Sequence, residues 1–152
     1  MDVTIDKSTV NDLCEILELQ KLSYQKEAIL YDDWSIPPLM QTISEITAEY
    51  GNSIFLKAQC ENKIVGSVRA SFDFDTCRIG KLFVHPDYRK MGIGSLLMKS
   101  MESFFKNAKR FDLFTGVKST DNIRLYKKLG YKECCKKELS TKIKIIFMEK
   151  MK

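Results

Sequence analysis

The chain has 152 residues, the length of one ordinary domain, and its 44% hydrophobic and 30% charged side chains can both fill a core and cover it. That balance excludes a disordered chain, and no apolar run nears the ~18–20 residues that cross a bilayer as a helix. The net charge of +5 is unevenly spread: residues 1–50 hold ten acidic and three basic side chains, a net of −7, whereas residues 51–152 carry a net of +12, which suits a domain that meets a cation with one part and an anion with the other.

Residues 2–6 read as a short strand. A helix follows, with apolar positions at Val10, Leu13, Cys14 and Leu17 near the 3.6 period, and Thr9 with Asp12 fits a capping pattern at its start. The periodicity breaks over Leu30 to Ile36, and Pro37-Pro38 opens a second helix through Leu39, Ile43 and Ile46 that Gly51 ends. The pattern then turns to strands over 53–60, 63–73 and 76–84, joined by turns at Glu61-Asn62 and Asp73–Asp75. After Pro86 comes a helix carrying Ile93, Leu96, Leu97, Met101, Phe104 and Phe105 on its apolar positions. A short strand over 112–115, a helix from Thr120 to Leu129 ending at Gly130, and a strand-like last twenty residues complete the order β-α-α-β-β-β-α-β-α-β-β. Lys142-Ile143-Lys144-Ile145 alternates as a half-exposed strand does. No linker, repeat or low-complexity tract interrupts residues 1–152, so one mixed α/β domain is expected.

The five cysteines (Cys14, Cys60, Cys77, Cys134 and Cys135) show no C-x-x-C pair and no zinc-ligand spacing. Reduced, partly buried thiols in a cytoplasmic protein follow, with Cys134 and Cys135 on opposite faces of a strand. The amino terminus M-D-V-T-I-D is acidic where a signal peptide is basic, which points to the cytoplasm as well.

The most informative segment runs from Leu82 to Ser95 and joins a strand to an amphipathic helix through Arg89-Lys90-Met91-Gly92-Ile93-Gly94. Glycines at such a turn let backbone approach a ligand, and the free N–H groups of the first helical turn point at it with the positive end of the helix dipole. Arg89 and Lys90 add two full charges, so the turn suits a pyrophosphate. A tightly packed helix start would use the same two glycines, and the third glycine of a dinucleotide fingerprint and the G-K-[ST] of a P-loop are absent.

The segment resembles the GNAT superfamily of acyl-CoA-dependent N-acetyltransferases. Arg89–Gly94 matches its Q/R-x-x-G-x-G/A signature after a Leu-x-Val-x-Pro strand end (Leu82, Val84, Pro86), and Leu125-Tyr126-Lys127-Lys128-Leu129-Gly130-Tyr131 matches its L-Y-x-x-x-G-F/Y segment. The resemblance covers nearly all of the chain. It implies a mixed, mostly antiparallel twisted sheet of six or seven strands flanked by four helices and splayed at the fourth strand. It implies acetyl-CoA as cosubstrate, with Leu82, Phe83 and Val84 pairing with the pantetheine arm and the N–H groups of Arg89, Lys90, Met91, Gly92, Ile93, Gly94 and Ser95 holding the pyrophosphate.

The resemblance further implies that Tyr126 is the general acid and that the Val84 N–H stabilises the oxyanion as an amine attacks directly, without a covalent enzyme intermediate. A phenol can protonate a departing thiolate. Tyr126 could equally be a core tyrosine beside Ile123 and Leu129. The family commonly places an asparagine at the position of Ser119. Here Asn122 lies one helical turn later, and either residue could reach the cofactor. The two glutamates that branches of the family use as general base align with Arg78 and Phe114, neither of which can serve. Glu27, Asp73, Asp75, His85 or a water chain remain as candidates.

Family members build the acceptor pocket from the first two helices and the loop between them. That region here holds Glu27, Tyr31, Asp32 and Trp34, which favours a cationic primary amine, unless these residues form a solvated acidic loop. Lys127, Lys128, Lys132, Lys136, Lys137, Lys142 and Lys144 make an exposed lysine face or steer the anionic cofactor, and no RNA-binding motif accompanies them. Neither a nucleic acid nor a membrane is expected as a partner. A homodimer, common in the family, is. The alternative function is a non-catalytic acyl-CoA-binding module that acts through a protein partner.

Overall fold

The elements of the computed structural model, which describes residues 2–152, follow the expected order with more helical pieces. They are β1 (Thr4–Lys7), α1 (Leu13–Ser23), α2 (Gln25–Tyr31), α3 (Pro37–Met40), α4 (Ile43–Tyr50), β2 (Ile54–Cys60), β3 (Lys63–Asp73), β4 (Thr76–Val84), α5 (Ile93–Phe104), β5 (Arg110–Gly116), α6 (Thr120–Lys128), β6 (Lys132–Glu138) and β7 (Lys144–Met151). The seven strands form one sheet in the order β1-β2-β3-β4-β5-β7-β6. Its pairs are antiparallel except β4 with β5, which run parallel.

Each of the first two expected helices is divided. Tyr24 separates α1 from α2, and Asp32 ends α2 in the left-handed conformation (φ 50°), which a short polar side chain tolerates. Gln41 and Thr42 separate α3 from α4 because Thr42 opens a new helix: its hydroxyl accepts from the Glu45 N–H at 3.1 Å, and Glu45 accepts from the Thr42 N–H at 2.9 Å. Ser140 holds a turn through the N–H groups of Lys142 and Ile143, so β7 starts at Lys144 rather than at Lys142.

Both faces of the sheet are packed around β3, whose residues Ile64–Ala70 are all buried. On one face Leu13, Ile16 and Leu19 of α1 and Ile46 of α4 meet Phe55, Ile64 and Phe83. On the other, Leu97, Met98 and Met101 of α5 meet Val65, Val68, Ala70, Phe111 and Met148. Arg69 is buried on the α1 face. Its guanidinium donates to Gln20 at 2.6 Å and Glu49 at 2.8 Å and lies 4.3 Å from the Phe55 ring centre. Lys81 also reaches Glu49, at 3.2 Å.

Two departures from a regular sheet prepare the site. Val68 of β3 faces both Lys81 and Leu82 of β4, a bulge in which Lys81 takes φ 47°. Beyond that, β4 and β5 pair only through Thr76, Cys77 and Arg78 and then part, so the second half of β4 has no neighbour on that side.

Candidate functional site

A groove of about 630 Å³ runs from this parting to the start of α5, between α2 and α6. At its α5 end, Gly92 stands in the left-handed conformation (φ 81°), with nothing within 4 Å of where a Cβ would lie. The first bond inside the helix runs from the Leu96 N–H to the Gly92 carbonyl, so the N–H groups of Ile93, Gly94 and Ser95 are free of helical partners. Lys90, Lys118, Arg124 and Lys128 line the same groove. Free N–H groups, open glycine backbone and several cations in one cleft fit a pyrophosphate-bearing ligand. Arg89 also lines the groove, but its guanidinium donates to the Ser23 carbonyl at 2.9 Å and so fastens the turn to α1. Met91 is exposed and lies off the groove.

Leu82, Phe83 and Val84 form the β4 side of the groove. The His85 N–H donates to the Val65 carbonyl at 2.7 Å. Hydrogen-bonded and non-bonded positions alternate along an antiparallel ladder, so the N–H of the preceding Val84 points to the other edge, the one that β5 has left open. The groove therefore offers a free backbone donor beside the parting.

The opposite wall is α2, held against α6 by a chain of hydrogen bonds. The Lys118 N–H donates to Tyr31 Oη at 2.9 Å, and Ser119 Oγ donates to Glu27 at 2.7 Å. Tyr31 is then the donor in the 2.8 Å bond between Tyr31 Oη and Ser119 Oγ. Ser119 occupies the N-cap position of α6, yet its hydroxyl makes no capping bond. Lys26 and Asp121 bridge the same two helices at 3.3 Å. Glu27, Ser119 and Asn122 line the groove, and Asn122 also donates to Thr115 at 3.4 Å. Tyr31 is buried beneath them, while Asp32 and Trp34 lie outside the lining, Trp34 exposed and Asp32 accepting a bond from Lys142 through its carbonyl.

Tyr126 is buried under the groove, its ring edge-on to Tyr131 with centroids 6.0 Å apart. Among the described residues its hydroxyl makes no hydrogen bond. Burial, reinforced by nearby Tyr24 and Glu27, holds its phenol well above the ordinary value, so it stays protonated. Of the candidate bases only Glu27 lines the groove. His85 accepts from the Asp87 N–H at 3.0 Å and stacks edge-on against Tyr88. Asp73 is the last residue of β3 and Asp75 lies in the turn before β4, where its carbonyl accepts from the Lys109 and Arg110 N–H groups. Arg78 lies beside Asp112 at 4.0 Å, and Phe114 is exposed.

Tyr24, Lys26, Lys118 and Arg124 line the groove without having been singled out by sequence. Tyr24 stacks on Phe83 at 6.0 Å, and its only sequence signal was its position at the end of an apolar helix. Lys128 lay in the basic run read as a possible steering surface, whereas Lys132, Lys136 and Lys137 fall on β6.

A family model described as the Acetyltransferase (GNAT) family matches residues 13–131. The protein YqkA of Bacillus subtilis is 26% identical over 119 residues, 78% of this chain and 34% of its own length. The uncharacterized N-acetyltransferase MJ1207 of Methanocaldococcus jannaschii is 30% identical over 147 residues, 86% of this chain and 61% of its own. The chain thus spans about a third and about three-fifths of these two relatives. Among solved structures, a ribosomal-protein-S18-alanine N-acetyltransferase from Escherichia coli superposes with a TM-score of 0.83 at 16% identity, over 99% of this chain and 94% of that one. The PaiA N-acetyltransferase of Thermoplasma acidophilum, solved in complex with coenzyme A, superposes with a TM-score of 0.75 at 20% identity over the whole of both chains. At these identities the likeness is one of fold.

Proposed function

Because the chain belongs to the GNAT acetyltransferase family, we propose that it moves an acetyl group from acetyl-CoA to a primary amine by direct attack in a ternary complex. The parting of β4 from β5 beside the free N–H groups of α5 carries the proposal, since a thioester arm can then lie along β4 while its phosphates meet Ile93–Ser95 and Lys90. Acetyl-CoA supplies the activated acyl group. The Val84 N–H stabilises negative charge on the acyl oxygen. Glu27, exposed to the groove and oriented by Ser119, takes the proton that makes the acceptor nitrogen nucleophilic. Tyr126, which burial keeps protonated, is the proton donor to the leaving sulfur in this reading, in line with the family motif it stands in. The carboxylate of Glu27 favours a cationic acceptor, a small amine or a peptide amine. All five cysteines are free thiols, in keeping with the cytoplasm.

A panel of amines assayed for thiol release from acetyl-CoA tests this, with cationic amines expected to turn over fastest. Equal turnover of neutral and anionic amines would remove the electrostatic part. The burial of Tyr126 off the groove lining favours a second function, an acyl-CoA-binding module without catalysis. Tight coenzyme A binding without thiol release to any amine would select it.

A further inference from the structure

An ammonium acceptor loses two protons on becoming an amide N–H. Glu27 takes the first, before attack, and the second leaves the nitrogen once the C–N bond has formed. Neither Glu27, already protonated, nor Tyr126, whose own proton goes to sulfur, receives it directly.

Tyr24 lines the groove at the junction of α1 and α2, and its ring packs edge-on against Phe83, the neighbour of Val84, at 6.0 Å. The Ala28 N–H donates to the Tyr24 carbonyl at 3.1 Å, so the junction continues as a helical turn and Glu27 follows Tyr24 on the same side. Tyr24 packs on the core beneath α1, whereas Tyr126 belongs to the core beneath α5. These two faces of the sheet communicate where β4 and β5 part, because no ladder joins the strands beyond Arg78. Neither phenol oxygen has a hydrogen-bond partner, yet neither is sealed. Among the described residues, the sealed side-chain atoms without a partner are Ser8 Oγ, Ser23 Oγ, Arg69 Nε and Arg110 Nε.

We propose that Tyr24 is a catalytic residue that carries the second proton from the acceptor nitrogen to Tyr126, an inference that rests on the transfer proposed above. As the C–S bond breaks with its electron pair on sulfur, the Tyr126 O–H bond breaks and an S–H bond forms. The N–H bond of the positively charged nitrogen then breaks toward Tyr24 Oη while the proton of Tyr24 passes to the Tyr126 phenolate. Both phenols end protonated, and the nitrogen's proton has in effect moved to sulfur. Burial raises the Tyr24 phenol, with Arg69 opposing and Glu27 and Glu49 adding to the rise, so the hydroxyl holds a proton to pass on. Tyr24 and Glu27 in turn add to the effect of burial on Tyr126, as groups that share one neighbourhood do.

The test uses the full chain, acetyl-CoA and the amine of the panel that turns over fastest, in single turnovers with protein in excess of acetyl-CoA. Tyr24→Phe keeps the ring on Phe83 and removes only the hydroxyl, and calorimetry with coenzyme A checks that the groove is intact. The transfer rate should fall by ~10²-fold or more. Coenzyme A affinity and the amine concentration at half-maximal rate should stay within about threefold of the parent. In a Tyr126→Phe background the same change should cost less than about threefold, because members of one relay act as a unit. An unchanged rate, a loss seen only as weaker binding of amine or coenzyme A, or an undiminished loss in the Tyr126→Phe background would each overturn the relay alone. A parent that transfers acetyl to no amine would overturn the underlying transfer, and the relay with it.

Discussion

Replacing Gly116 by alanine should loosen α2 from the rest of the fold. The backbone raises no objection, because Gly116 is not among the residues with positive φ. The methyl, however, would overlap the Tyr31 hydroxyl and Cζ and lie 3.0 Å from Cε2. Tyr31 is only 5% exposed, so its ring cannot move aside without leaving its packing. Any shift also breaks its bonds to Ser119 and to the Lys118 N–H. Overpacking of this kind costs about 1–3 kcal/mol, and each lost hydrogen bond about 0.5–1.5 kcal/mol. Together these give a loss of roughly 2–6 kcal/mol, or about 4–24 °C in Tm for a chain of this length. Urea unfolding followed by circular dichroism measures it. In a Tyr31→Ala background the methyl has room, and the same change should cost less than about 0.5 kcal/mol, as expected when one contact carries the coupling. A loss in the parent below that value, or an undiminished loss in the Tyr31→Ala background, would refute the reasoning.

Tyr126→Phe should lower turnover by ~10²-fold or more while coenzyme A binding, measured by calorimetry, persists; unchanged turnover would take Tyr126 out of the chemistry. Glu27→Gln should lower kcat/KM by ~10²-fold or more, and turnover like that of the parent would exclude Glu27 as the base. Burial alone would raise the Glu49 carboxyl, but Arg69, the Gln41 amide and Lys81 outweigh it and leave the group below its ordinary 4.5. With a lowered folded value, Glu49 stabilises the fold above pH 4.5 and loses that contribution as pH falls through its lowered value. Glu49→Gln should therefore be less stable than the parent at neutral pH, with the gap narrowing below pH 4.5; a gap constant down to about pH 3 by urea unfolding would contradict this.

The sheet was legible where its signals are local. Strands over 63–73 and 76–84 have the bounds read from their apolar runs, and Glu61-Asn62 turns with φ 51° and 65°, as a tight hairpin requires. The start of α5 was legible for the same reason, since its glycines, charges and free N–H groups lie within a few consecutive residues. What sequence did not reveal depends on residues far apart. Nothing near Arg69 in sequence announces its burial, which depends on Gln20, Gln41 and Glu49 closing around it. The division at Gln41–Thr42 was written locally, in Thr42 and Glu45, but the longer apolar period masked it. Tyr31 looked like a pocket residue because nothing near it in sequence announces Gly116, the one residue type that leaves it space.

The charge split takes on another meaning once its partners are identified. Of the ten carboxylates in residues 1–50, six are engaged within the fold. Asp12 binds Lys57, Glu15 the Ile64 N–H, Glu27 Ser119, Asp33 Ser35, Glu45 the Thr42 N–H, and Glu49 Arg69 with Lys81. Asp12, Glu15 and Glu49 thus fasten the amino-terminal segment to β2, β3 and β4, and Glu27 fastens α2 to the start of α6. Of the six, Asp12 and Glu49 are paired with cations, and among the ten acids only Glu27 lines the groove, so the others act on it only through screening solvent. On the proposed function, preference for a cationic acceptor then rests on Glu27 itself rather than on the summed charge of the segment. It follows that Asp32→Asn, which alters the net charge but not the groove lining, should leave amine preference unchanged, whereas Glu27→Gln should narrow the gap between cationic and neutral amines. Competition assays across the amine panel read that difference, and equal narrowing by both variants would restore the segment-wide explanation.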